Sequence, residues 1–470
     1  MFVKPNIMID TDSYKVSHWL QYPPGTEYVS SYIEARKQFI TEEMVFFGLQ
    51  MFLKQYMLEP ITQEQINEAA EFWAAHGEPF NKEGWEYILR VHNGKLPVVI
   101  RAIPEGTVIP VSNMLVQVQN TDPKVPWLVS YLETMLLQAI WYPTTVCTLS
   151  WETKKVIYGF LTATCENPDA EIGFKLHDFG FRGVSSRESA GIGGVAHLVN
   201  FLGTDTAIAC RYAKAFYNEP MAGFSIPAAE HSTITSWGKD NEVGAFKNML
   251  DKFGDGPLVA VVSDSFDIYN ATRNLWGTQL REHVLNMKAT LVVRPDSGDP
   301  TWVPVEIIEI LGEKFGYTTN AKGFKVLNPR VRVIQGDGMT YKTIKELLTN
   351  LMIRGWSAEN IAFGMGGGLL QHQVSRDTLG FAMKASAIRD ERGWKDVFKD
   401  PITDKGKVSK KGKLITVRYD DGRYETTNMD YDALLKHDFR PPEQIDRIVY
   451  KNGKLIIDED FATIRKRAWQ

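Results

Sequence analysis

The chain is short of several things, and each shortage removes a class of function. Only 3 of its 470 residues are cysteine. Cys147, Cys165 and Cys210 form an odd set in unrelated contexts, which argues against a disulfide framework or a clustered zinc site and fits a reducing cytoplasm. No stretch approaches the roughly 18 apolar residues that span a bilayer, and the start Met1-Phe2-Val3-Lys4-Pro5-Asn6 has no apolar segment leading to a cleavage site. Neither membrane insertion nor secretion by a signal peptide is expected. The net charge is only -4, and the one run of like charge is the basic stretch at residues 405–413, so a nucleic-acid partner is not expected either. Also missing are the HExxH pair of a zinc protease, the Gly-x-Ser-x-Gly elbow of a serine hydrolase and the Lys-Ser/Thr ending of a Walker A loop.

What is present is ordinary globular material, 44% hydrophobic and 23% charged, long enough for two or three domains. Residues 42–85 are rich in helix formers, and residues 96–118 in Val and Ile broken by Pro and Gly, which reads as short strands. From about Ile172 apolar β-branched runs each end in a small polar cluster. Residues 172–176 run into His177-Asp178-Phe179-Gly180, residues 258–262 into Ser263-Asp264-Ser265, and residues 291–293 into Arg294-Pro295-Asp296-Ser297-Gly298. Residues 331–334 meet Gln335-Gly336-Asp337-Gly338, and residues 361–363 meet Gly364-Met365-Gly366-Gly367-Gly368. Ile344, Leu347, Leu348, Leu351 and Met352 repeat at helical spacing, and Pro304 suits the first turn of another helix. Continuously apolar strands imply a parallel sheet buried on both faces, and a barrel is its natural closure. In such barrels chemistry collects at the C-terminal strand ends, so five clusters at that one position point to a shared site. After Lys384 the periodicity fades into β-like residues 414–418 and 445–457, the latter carrying the hairpin signal Asn452-Gly453. This closing region is expected to pack on the N-terminal part.

The candidate chemistry lies in those clusters. Glycines at 364–368 let backbone N–H groups approach a phosphate. Gly191-Ile192-Gly193-Gly194 matches a dinucleotide pattern on paper, but no strand precedes it, and close helix packing is its expected role. Asp264, Asp296 and Asp337 suit ribose hydroxyls or Mg²⁺, with turn capping as the alternative for each. Arg294 and Arg376 suit phosphate. His231, within Pro227-Ala228-Ala229-Glu230-His231-Ser232-Thr233, reads as a base, a phosphate acceptor or a hydrogen-bonded structural histidine, and His177 has the same ambiguity.

Taken together, Thr11-Asp12-Ser13-Tyr14-Lys15-Val16-Ser17-His18, Lys175-Leu176-His177-Asp178-Phe179-Gly180-Phe181-Arg182-Gly183, Gly203-Thr204-Asp205-Thr206 and the clusters around His231, Asp264, Arg294 and Asp337 resemble the nicotinamide phosphoribosyltransferases. The resemblance runs from about Asn6 to the C-terminus. It implies a type II phosphoribosyltransferase of the α/β class, with an irregular (β/α) barrel at residues 146–384 and an α/β sandwich domain formed by residues 1–145 and 385–470. It implies a cytoplasmic homodimer whose shared active sites take nicotinamide and phosphoribosyl pyrophosphate with Mg²⁺, stimulated by ATP through phosphorylation of His231. Phe179 and the Tyr14 of the partner subunit would stack on the ring, with Arg182, Asp205 and Ser263 around it. Arg294 and Asp296 would contact the ribosyl part; Gly336, Asp337, Gly366 and Gly367 would hold its 5′-phosphate. Arg36, His177, Arg376 and Lys384 complete the implied phosphate-binding set, and His231, Asp205, Arg294 and Asp296 the catalytic one. The stretch 369–376 is one residue longer than the family pattern, and Ala382 stands where a hydroxyl residue is expected. Three other readings remain: a nicotinate phosphoribosyltransferase, a non-catalytic nucleotide-binding or signalling protein on the same fold, and a barrel hydrolase using an Asp pair.

Overall fold

The computed structural model describes residues 4–403, 407–428 and 443–470. Met1 to Val3 of the expected non-signal start, and Lys405 and Gly406 of the basic stretch, lie outside the described residues. The chain divides into two compact units: Met1–Thr148 with Ala215–Asn218 and Ser375–Gln470, and Leu149–Lys214 with Glu219–Val374.

The first unit is built on a seven-stranded antiparallel sheet in the order Gly393–Asp396, Ala382–Asp390, Tyr28–Glu34, Met114–Asn120, Val98–Ala102, Arg447–Lys451, Lys454–Leu455. Distant parts of the sequence are thus interleaved in one sheet. Its apolar side packs on the helices Gln63–His76 and Lys82–Val91, with Trp73 and Trp85 fully buried. The first of these helices starts with a capping box, the Thr62 side chain accepting from Gln65 N–H and Gln65 returning the contact, and stops at Gly77 with φ +92°. Asn452 (φ 49°) and Gly453 (φ 78°) make the expected turn between the last two strands, both residues in the left-handed region that such a hairpin requires.

Residues 42–85 are not helical throughout, because Glu43–Val45 pairs as a strand with Val108–Pro110. The sequence also gave no warning of the helix Glu133–Thr164, which runs through Pro143. Proline removes the N–H that would bond Ala139 O. The chain answers at Phe47-Gly48: Thr144 Oγ1 exchanges hydrogen bonds with the Phe47 backbone, and Gly48, at φ +114°, lies where a Cβ would sit 2.3 Å from Pro143.

The second unit holds a six-stranded, wholly parallel sheet in the order Gly203–Thr204, Leu176–Asp178, Ile361–Met365, Val331–Gln335, Thr290–Arg294, Leu258–Val262. Both edge strands bridge in parallel to one irregular segment, Gly203 to Phe224 and Ala260 to Ala228. That segment completes the ring through two isolated bridges, at Phe224 and Ala228, so the expected irregular barrel is present. One strand is displaced from expectation. Ile172 closes the helix Pro168–Ile172, capped by the Asn167 side chain on Ala170 N–H, and the strand begins only at Leu176. Alternation along the strands sets Ala260, Val292 and Ile334 into the lumen with Phe179 and Ile226, while Val259, Val261, Leu291, Val293 and Val333 are buried on the other face. The helices Val303–Phe315 and Tyr341–Ile353 begin and run as Pro304 and the Ile/Leu repeat indicated.

Candidate active site

All six strands are parallel, so their polar C-terminal clusters gather at one end of the barrel. Phe179 follows Asp178 and is fixed by its N–H on Met365 O at 3.0 Å. Its ring fills space that only glycine leaves open. A Cβ on Gly364 would lie 2.0 Å from the ring and one on Gly336 3.4 Å from it. The Arg294 guanidinium sits 6.0 Å from the centre of the same ring, and His177 6.2 Å from it. Arg294 is gripped by Asp296 in a fork, Nε to Oδ1 at 3.0 Å and Nη2 to Oδ2 at 2.6 Å, with the two side chains 26% and 15% exposed. A planar cation so held presents a fixed edge while remaining reachable, which suits an anionic or hydroxyl-rich ligand.

Behind Phe179, the turn Phe181–Gly183 brings Arg182 to the surface, and Gly183 packs against Gly367 closely enough that a Cβ would meet its backbone at 3.3 Å. Gly336, Asp337, Gly366 and Gly367 all lie just past their strands, with Asp337 exposed. Gly367 opens the four-residue helix Gly367–Leu370. Asp205 follows the strand Gly203–Thr204, its N–H on Asp178 O at 2.9 Å; its carboxylate is exposed and accepts the Ser225 hydroxyl at 2.5 Å. Sequence reasoning did not single out Ser225, whose partner lies on a different bridge segment.

Other candidates are placed differently. The Ser263 hydroxyl is fully buried, donating to Val261 O at 2.9 Å and accepting from Trp276 Nε1 at 3.0 Å, so the lumen wall on this strand is Ala260. His177 is paired in register with Gly203, and its Nε2 lies 2.9 Å from Phe174 O. Burial pushes its pKa down and Lys175 adds to the fall, the Phe174 carbonyl and Asp205 opposing, and Nε2 is already engaged by the Phe174 carbonyl. His231 opens the helix His231–Thr235 and is about half exposed; its Nε2 is 2.9 Å from Oδ1 of Asp264, which is 5% exposed. With Nε2–H given to the carboxylate, Nδ1 carries the lone pair.

Gly191 and Gly194 serve packing, as expected. A Cβ on Gly191 would strike the Tyr212 ring at 2.6 Å and one on Gly194 would meet Ala209 at 2.7 Å.

The remaining candidates belong to the first unit. Tyr14 is 58% exposed on the short helix Ser13–Leu20, beside the exposed Trp19 and Leu20. Arg36 Nε donates to Glu34 Oε1 at 2.8 Å, and Lys410 donates to Oε2, the other oxygen of the buried Glu34. Lys384 donates to Met383 O at 2.7 Å; burial lowers its pKa, with Glu133 opposing and Arg36, Lys15 and Lys399 adding to the depression. These lysines and Arg36 therefore form one cationic neighbourhood. Arg376 is exposed and paired with Asp377 at 3.2 Å.

Comparison with known proteins fits this arrangement. The model of the nicotinate phosphoribosyltransferase (NAPRTase) family matches residues 174–443, and that of the nicotinamide phosphoribosyltransferase N-terminal domain matches residues 6–100. A nicotinamide phosphoribosyltransferase of Xanthomonas campestris pv. campestris is 50% identical over 465 residues, covering 98% of each chain. One of Acinetobacter baylyi is 31% identical over 499 residues, covering 98% of this chain and 96% of the other. Among solved structures, the nicotinate-nucleotide pyrophosphorylase from Pyrococcus furiosus superposes with a TM-score of 0.64 at 15% identity, covering 100% of this chain and 96% of that one. Human nicotinic acid phosphoribosyltransferase gives 0.55 at 16%, covering 97% and 92%.

Proposed function

The chain belongs to the nicotinamide phosphoribosyltransferase family, and from that premise we propose that it transfers the phosphoribosyl group of phosphoribosyl pyrophosphate to nicotinamide, giving nicotinamide mononucleotide and pyrophosphate in NAD salvage. The observation that carries the choice of base is the exposed Asp205 carboxylate, braced by Ser225 at 2.5 Å and tied through its backbone to the strand that delivers Phe179. A carboxylate accepts the amide N–H of nicotinamide, whereas nicotinate would set a second negative charge against it in a partly desolvated site. Nicotinate is the runner-up substrate on those grounds.

Departure of pyrophosphate leaves oxocarbenium character at the ribose anomeric carbon, so the residues must place the ring nitrogen in line and hold the anion that leaves. Phe179 supplies one stacking face, worth about 0.5–1.5 kcal/mol beyond area burial. Tyr14 of the partner subunit supplies the other, a role its 58% exposure supports. Arg182 flanks the base; Arg294, held by Asp296, orients the ribosyl hydroxyls; and backbone N–H groups at Gly336, Asp337, Gly366 and Gly367 receive the 5′-phosphate. The cationic neighbourhood of Arg36 and Lys384, with Arg376, would reach the pyrophosphate from the second subunit of a homodimer. Among the described residues no three His, Cys, Asp or Glu side chains converge on a metal position, so Mg²⁺ belongs in this reading to the phosphoribosyl pyrophosphate it travels with, where it neutralises the leaving group. The three free cysteines fit the reducing cytoplasm proposed for this enzyme; separately, among the described residues no helix is long and apolar enough to cross a membrane.

His231 is the proposed acceptor of the ATP γ-phosphoryl group: Asp264 holds Nε2–H and Nδ1 is left as nucleophile. His231→Ala should keep basal transfer and lose ATP stimulation; an unchanged ATP response would count against the role. The test of the main reading is mononucleotide synthesis with both bases. Asp205→Asn should lower kcat/KM for nicotinamide by about tenfold, one charge-assisted hydrogen bond, while improving nicotinate relative to it. Equal use of both bases before and after the change would sink the assignment.

A further inference from the structure

Asp178 ends the strand Leu176–Asp178, and its side chain points away from the lumen, opposite to His177. It is completely buried. Its Oδ1 accepts the Gly180 N–H at 2.7 Å, spanning Phe179, while its backbone carbonyl accepts the Asp205 N–H at 2.9 Å. Oδ2 has no hydrogen-bond partner among the described residues; it faces Thr206, whose hydroxyl is close enough to favour the charge without forming a well-made hydrogen bond, and Gly194, where a Cβ would stand 3.2 Å away. Burial pushes the carboxyl up to about 6, the Gly180 N–H and Thr206 opposing and the neighbouring Asp205 adding to the rise. A half-satisfied buried carboxylate is a poor way to stabilise a fold, since an apolar side chain of similar volume would avoid the desolvation.

We infer that Asp178 is the positioning residue of the base site: without touching substrate, it fixes the Phe179–Arg182 turn through Gly180 and anchors Asp205 through its own carbonyl. Both groups assigned to the base are thereby registered on one residue, while the groups assigned to the phosphoribosyl part sit on other strands. The inference rests on the base-site reading above. It requires that the side chain matter more for nicotinamide than for phosphoribosyl pyrophosphate, a split that a merely structural residue would not produce.

The experiment measures KM for each substrate, kcat and melting temperature for Asp178→Asn, Asp178→Ala and Asp178→Leu, with Phe179→Ala beside them. Asn keeps the acceptor for Gly180 and should stay within about twofold of the parent; Ala and Leu lose it and should raise KM for nicotinamide about tenfold, with KM for phosphoribosyl pyrophosphate moving less than about threefold. Leu keeps the branched shape without the carboxylate, and the smaller Ala covers the case in which Leu's extra volume is not accommodated. An unchanged nicotinamide KM, an equal rise for both substrates, or an Asn variant as impaired as Leu would overturn the inference. So would failure of both Ala and Leu to fold, which would make the carboxylate a folding requirement. If Phe179→Ala leaves the nicotinamide KM unchanged, the base-site reading itself falls; if only the Asp178 variants are silent, that reading stands and the positioning role does not.

Discussion

In the sandwich unit the buried Glu105 has both carboxylate oxygens occupied, Oε1 by Gln50 N–H at 2.7 Å and Oε2 by the Tyr217 hydroxyl at 2.8 Å. Nearby, Lys54 and the Gln50 amide both reach Phe216 O and Asp458, and Glu459 binds Arg447 and Arg467. At the strand ends of the barrel the accounting is different. Among the described residues Asp178 Oδ2, Gln335 Oε1 and Ser265 Oγ are buried without a well-made hydrogen bond, as are Ser30 Oγ, Trp85 Nε1, Ser386 Oγ and Arg447 Nε in the sandwich unit, but here Asp205 and Arg294 each keep an accessible edge as well. Saturated polar groups hold distant segments together and have nothing left to offer a ligand. Groups such as Asp205 and Arg294, braced on one side and open on the other, stay available, which is the arrangement a binding site requires.

That contrast can be broken most sharply at Gly364. Adding one methyl there places a Cβ 2.0 Å from the Phe179 ring, so Gly364→Ala should displace the ring and lower kcat/KM for nicotinamide by about a hundredfold, the scale of about 3 kcal/mol of overpacking. Activity near that of the parent would mean that the ring's position is not what the barrel protects.

In the sandwich the expected effect falls on stability instead. Burial raises Glu105 from 4.5 to about 7, the Gln50, Tyr217 and Gly48 donors opposing. The folded protein therefore holds this proton more tightly than the unfolded chain. The stability it contributes is complete below about pH 4.5 and is lost as pH rises through 7, amounting to about 3 kcal/mol as an upper figure. Glu242, also raised to about 7, and Asp178 act in the same direction. Denaturant unfolding of Glu105→Gln at pH 5.5 and 8.5 should show a shallower loss of stability than the parent, with nicotinamide KM unchanged. A slope equal to the parent's would place the proton elsewhere.

The smallest effect belongs to the sandwich hairpin. Asn452→Ala removes the short polar side chain that makes the left-handed conformation at φ 49° tolerable and that accepts the Thr121 hydroxyl at 2.6 Å, and should cost about 1 kcal/mol in unfolding experiments without altering either KM. A measurable loss of activity there would blur the separation between the two units.

Much of the barrel was legible because its signals are local. An apolar strand followed by a polar cluster is written within eight residues, and Pro304, the Ile344–Met352 repeat and Asn452-Gly453 carry their geometry in their own chemistry. The helix Glu133–Thr164 was illegible because Pro143 reads as a breaker, and the compensation comes from Thr144 and Phe47-Gly48, far apart in sequence. The misplaced strand start at Ile172 had a readable correction in Asn167-Pro168, a cap followed by a first-turn proline. Ser263 looked like a ligand for the same reason Asp264 did, since both follow an apolar strand, yet one side chain turns inward to Trp276 and the other toward His231.

The sequence by itself determined the class of the protein, the succession of strand ends and the family to which their residues belong, because residue type and short spacing dictate periodicity, turn chemistry and motif. Only the tertiary structure decided which of those residues share a site and which are spent on the fold. Ser225 bracing Asp205, Gly364 and Gly336 clearing room for Phe179, and Asp178 holding the turn are contacts between strands that no local pattern encodes, since they depend on register and on what packs behind each strand.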